Sequence, residues 1–116
     1  MQYMFLLFID ENAAANASEA ESAEVYKAYG AFTEAVNSAG VFKAGDPLQS
    51  TSTATVVRAP NGGSPLTTDG PYAESKEQLG GYYILDCKNL DEAIEWAAKI
   101  PAAHHGAVEI RPIMAM

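Results

Sequence analysis

The stretch TTDGPYAESKEQLGGYYILD, residues 67–86, gathers much of what could do chemistry in this chain. Asp69 opens the Asp-Gly-Pro-Tyr run. Its carboxylate could serve as a general base in a cleft, with its pKa raised by partial burial. The competing reading is structural: Asp-Gly-Pro is turn chemistry, with the aspartate bonding its own backbone. Glu74, Lys76, Glu77 and Gln78 form a polar segment able to border a ligand. In extended chain Glu74 and Lys76 share a face, so each would tune the other's ionisation. The plain alternative is a solvated charge cluster. Tyr72, Tyr82 and Tyr83 each offer a phenol for a ligand oxygen. Strand alternation sends Tyr82 and Tyr83 to opposite faces, so only one of them meets a given pocket, and the other packs in a core or interface.

Outside that stretch, His104 and His105 are the only side chains with an ordinary pKa near neutrality. His105 could reach Asp69 across the fold as a His–Asp pair; surface exposure is the simpler expectation. Glu109 and Arg111, two apart on one strand face, read as an ion pair across a sheet or interface. Arg111 binding an anionic ligand is the sharper alternative. There is no HxH, HExxH or Cys-His spacing, no GxGxxG, no Walker loop and no GxSxG. Neither a metal nor another cofactor is therefore expected.

The elements that must hold these residues belong to a chain of 116 residues, enough for one domain. Hydrophobic residues make up 48% and charged residues 19%, which supports a packed core and argues against disorder. The net charge of −8 disfavours nucleic acid and anionic membrane surfaces, since the few Lys and Arg are scattered. Cys87 is the only cysteine. It cannot form an internal disulfide, and its place in an apolar run points to an inert buried thiol. The opening MQYMFLLFIDE lacks a basic leader, and its apolar run is far short of the ~20 residues of a bilayer span. A cytoplasmic protein is expected.

Tyr3 to Ile9 is apolar on both alternating faces, the pattern of a central strand covered on both sides. DENAAANA reads as a loop. Ser18 and Glu21 make a capping box for a helix over about Glu19 to Ala39, with Val25, Tyr29, Phe32 and Val36 in its apolar stripe and Gly40 closing it. GVFKAGDPLQ reads as a turn-rich connection, and the β-branched STSTATVVRA as the second strand. PNGGSP turns the chain into a short strand, Leu66 to Thr68, completing a hairpin. Tyr82 to Cys87 is a strand entered through Gly80-Gly81, where a bulge or close approach is expected. Asn89 caps a second helix with Leu90, Ala93, Ile94, Ala97 and Ala98 on its buried side, and Pro101 ends it. AAHHG links to a last strand, Ala107 to Ile113. The order β-α-β-β-β-α-β is that of a ferredoxin-like α+β sandwich, an antiparallel sheet with two helices on one face. The first strand's second apolar face then needs a cover, most economically a second copy in a C2 homodimer.

The string TDGPYAESKEQLGGYYILD resembles the signature of the DGPF group of YCII-related proteins, with Tyr72 in place of the name-giving Phe. YGAFTEAVNSAGVFKAGDPLQ, ATVVR and DEAIEWAAKIPAAHHGAVEIRPI extend the resemblance over nearly the whole chain. It implies a dimeric α+β barrel built from two ferredoxin-like subunits. The wider group has been proposed to carry a His–Asp pair in a cleft, and one relative acts on a chlorinated hydroxyquinol. Some DGPF members are encoded beside extracytoplasmic-function sigma factors. In a gapless reading Tyr29 stands where that histidine is expected, and no His precedes His104.

Three functions follow as expectations for a single domain spanning residues 1–116. The first is a homodimer binding a small organic ligand in a cleft lined by the Asp69 loop, with acid–base chemistry. The second is a non-catalytic regulatory or interaction module tied to sigma-factor signalling. The third, a cofactor-free monooxygenase or detoxifying enzyme, rests on fold analogy alone.

Overall fold

The computed structural model describes residues 1–72 and 75–116. In chain order the elements are β1 (Gln2–Ile9), α1 (Glu11–Ala15), α2 (Glu19–Ser38), β2 (Phe42–Pro47), β3 (Thr55–Arg58), β4 (Leu66–Asp69), β5 (Gln78–Asp86), α3 (Leu90–Ala97), α4 (Ala102–His105) and β6 (Ala107–Pro112). Four strands form an antiparallel sheet in the order β2-β5-β1-β6, while β3 and β4 pair only with each other in a separate hairpin. This is the expected ferredoxin-like α+β architecture.

The strand bordering β5 on the outside differs from the expected one. FKAGDP, which reads as a connection because Gly and Pro weaken a strand, forms β2 at the sheet edge. An edge is where a proline is tolerated, since one side of the strand makes no ladder bonds. The β-branched TVVR, the stronger strand former, pairs with β4 in the expected hairpin and takes no place in the main sheet. Gly45 is required in β2 by a close approach: a Cβ there would lie 2.5 Å from the Tyr83 ring. A register shift in the β1–β5 pairing falls between Leu7 and Phe8, opposite the Gly80-Gly81 step.

The helix ends follow local chemistry. Ser18 Oγ accepts from the Glu21 N–H at 3.1 Å, and Glu21 accepts from the Ser18 N–H at 3.3 Å, closing the capping box of α2. At the other end, Gly40 takes φ 75°. The Gly40 and Val41 amides bond back to Asn37 and Val36, the pattern that satisfies the last carbonyls of a helix. DENAAANA contains a helix after all: the Asp10 carboxylate accepts from the Asn12 and Ala13 amides and starts α1. Asn89 caps α3 by accepting from the Glu92 amide, and Pro101 leads into α4, so AAHHG begins as a helical turn.

The core lies between the sheet and the helices. Tyr3, Phe5 and Leu7 from β1, and Tyr83, Leu85 and Cys87 from β5 and its exit, meet Phe32 and Val36 of α2 and Ala93 and Ala97 of α3. Phe32 packs edge-on against Tyr83 at 5.0 Å and Trp96 at 6.2 Å between ring centroids. The other sheet face carries Met4, Leu6, Phe8 and Ile84, all only half-buried, with Leu79 exposed beside Phe8. No helix covers it.

Candidate functional site

The apolar stripe of α2 is longer than the core it serves. Phe32 and Val36 are buried, but Tyr29 is half-buried and Val25 is exposed. The first half of α2 therefore overhangs open space. Two clefts lie there. The first, of about 580 Å³, runs between α2 and the β2–β5 edge and is lined by Leu7, Ile9, Tyr26, Tyr29, Gly30, Thr33, Phe42 and Tyr83, with the chain at residues 45–48 and 80–82. The second, of about 470 Å³, lies between α1, the start of α2 and α4.

Hydroxyls give the first cleft its chemistry. Thr33 Oγ1 and the Tyr83 hydroxyl are hydrogen-bonded at 3.2 Å. Burial holds the Tyr29 phenol above its ordinary range, the neighbouring Tyr83 adds to this, and a backbone bond from Ala102 pulls the other way. Tyr29, like an ordinary tyrosine, is a protonated donor at neutral pH. Tyr82 borders the cleft, but alternation points its ring to the open sheet face, where its hydroxyl donates to Asp46 Oδ2 at 2.7 Å across the β2–β5 pair. That bond is the main cause of the upward shift of the Tyr82 pKa.

The expected site residues separate. Asp69 ends β4 opposite Thr55, is exposed and lines neither cleft. His105 ends α4, is exposed and lines the second cleft. Among the described residues no hydrogen bond or cleft joins it to Asp69. Tyr72 is exposed with its ring 5.2 Å from the Arg58 guanidinium, on the hairpin side. Lys76 is exposed and lines neither cleft; Glu74 lies outside the described residues. Arg111 pairs with Met4 and Glu109 with Leu6, which places both on the open sheet face. Tyr29 does line a cleft, and Tyr26, Thr33 and Tyr83 join it there. Reading the residues missed Tyr26 and Thr33; their signal was the helical spacing 26, 29, 30, 33 next to a stripe too long for its core.

Glu11 fixes the root of the hairpin. Its carboxylate accepts from the Thr51 amide and hydroxyl, both at 3.0 Å, and from the Ser50 hydroxyl at 3.2 Å, while its own amide donates to Gln78. Among the described residues, no cluster of three or more His, Cys, Asp or Glu is placed to hold a metal ion, and no helix is long and apolar enough to cross a membrane.

Fold and cleft together define a small ferredoxin-like α+β domain with a hydroxyl-lined hollow beneath its long helix. The YCII-related domain model matches residues 1–116, and the chain belongs to that family. It is also 34% identical over 115 residues to an uncharacterized protein of Rhizobium meliloti (strain 1021), an alignment covering 97% of this chain and 92% of that one.

Proposed function

We propose that this YCII-related protein binds a small organic molecule in the first cleft, using Tyr29, Thr33 and Tyr83 to hold an oxygen of the ligand. The observation that carries the reading is the Thr33–Tyr83 hydroxyl pair, with the Tyr29 phenol lining the same cleft of about 580 Å³. A protonated Tyr29 suits a hydrogen-bond donor, and its raised pKa makes it a weak proton donor in catalysis. A base role for Asp69 needs the hairpin of another copy, because its own hairpin lies outside the clefts of its chain. A thermal-shift screen of neutral hydroxylated aromatics tests this. At least one compound should raise Tm in wild type and lose most of its effect in Thr33→Val and Tyr29→Phe. No shift by any of them in wild type removes the cleft from consideration.

The same reading makes the protein a cytoplasmic homodimer of the DGPF type, packed through the open sheet face. The half-buried row Met4, Leu6, Phe8 and Ile84 supports it, because an apolar row of this kind is seldom left to water. Light scattering should give twice the chain mass at micromolar concentration, and a monomer mass rules it out. The rival reading, a non-catalytic regulatory module in sigma-factor signalling, draws on Val57, an apolar residue 60% exposed on the hairpin where a protein partner could cover it.

A further inference from the structure

The two clefts share walls. Ile9, Tyr26 and Tyr29 line both. On α2 the lining runs without a break from Glu21 and Ser22 through Val25, Tyr26 and Tyr29 to Gly30 and Thr33. That spacing is a single helix face, and at a rise of ~1.5 Å per residue it is about 18 Å long. The two ends differ in chemistry. The Thr33 end holds the hydroxyls described above. The Glu21 end is lined mainly by Ala13, Ala14, Ala17, Val25, Pro101 and Ala102, with Asp10, Glu21, Ser22 and His105 as its polar members. Its acidic groups have work elsewhere: Asp10 caps α1 and Glu21 closes the capping box of α2. Among the described residues no Lys or Arg lines either cleft; His105 is the one lining side chain able to carry a positive charge, so an anionic ligand finds no fixed countercharge.

Resting on the cleft reading, and naming its ligand class, we propose that the two clefts are one trough. It takes an elongated, uncharged amphiphile whose single hydroxyl or carbonyl oxygen sits at Tyr29, Thr33 and Tyr83. The apolar tail runs under the first turns of α2 toward Ala14. Tyr26 and Tyr29 flank the tail where the two halves meet.

Calorimetric titration of the full chain with 1-butanol, 1-hexanol, 1-octanol and 1-decanol tests the trough. Burial of each methylene should tighten binding by about four-fold. Ala14→Trp, at an exposed position in the apolar end, should flatten this dependence while leaving the shortest alcohols bound. Gly30→Trp, at a helix position that lines the first cleft and where a Cβ meets nothing within 4 Å, should abolish binding at every length. Ala17→Trp is the second blocking variant should Ala14→Trp lose its circular dichroism signal. A length dependence unchanged by either blocking tryptophan overturns the trough. So does tighter binding of octanoate or octylamine than of octanol. If hydroxylated aromatics bind and no alcohol does, the trough fails and the first-cleft reading stands. If neither class binds, both fall.

Discussion

Gly45 and Tyr83 show how narrowly single residues shape the cleft. Gly45→Ala drives a methyl into the Tyr83 ring, whose hydroxyl is bonded to Thr33. The expected outcome is a loss of about 1–3 kcal/mol in urea unfolding, with weakened ligand binding. Tyr83→Phe should cost only about 1 kcal/mol of stability, since it removes one hydrogen bond and leaves the packing intact. Cys87 carries a pH prediction. Burial, with the negative charges of Glu92 and Asp86, pushes its thiol up to about 11. An unfolded thiol ionises near ~8.5, so the stability present below that pH is lost as pH rises through about 11, at most roughly 3 kcal/mol. Urea midpoints at rising pH should show this alkaline slope in wild type and a shallower one in Cys87→Ala. At this scale the sequence was partly legible. Tyr29 was found through a resemblance. The Thr33–Tyr83 bond joins residues fifty apart, a meeting that no local spacing encodes.

Elements with strong local signals were where they were expected. The capping box, the Gly40 closure and the Asn61-Gly62 turn depend on bonds within a few residues, so the local sequence is sufficient to read them. Ser18→Ala should lower stability by about 1 kcal/mol through loss of the α2 cap, measured as a fall in Tm. β2 was not legible, because its place is set by pairing with β5 rather than by its own composition. Once β2 takes the sheet edge, TVVR is left to the hairpin. The open sheet face makes an element-scale prediction. Leu6→Lys, at the centre of that face beside Tyr82 and Glu109, should convert the proposed dimer to a monomer by light scattering while preserving far-UV circular dichroism.

The molecule as a whole is a plate, 46 × 43 × 18 Å, with a radius of gyration of 16.1 Å. A compact chain of this length would have about 13 Å. The excess agrees with a hairpin whose strands pair only with each other, and the thinness with one layer of helices over one sheet. Both properties leave surface uncovered, yet the ferredoxin-like order could be read from the chain, because it depends on the succession of local elements.

The hairpin's isolation has a practical side. Two strands exposed on nearly every residue, turned by Asn61-Gly62 and tethered at the root by Glu11, can open without disturbing a single core contact. Its amides should exchange with deuterium within seconds, long before those of β1 and β5. A peptide tag or fluorescent reporter spliced at Gly62-Gly63 should leave Tm almost unchanged. The same splice in β2 should unfold the protein, although β2 looks like the looser sequence of the two.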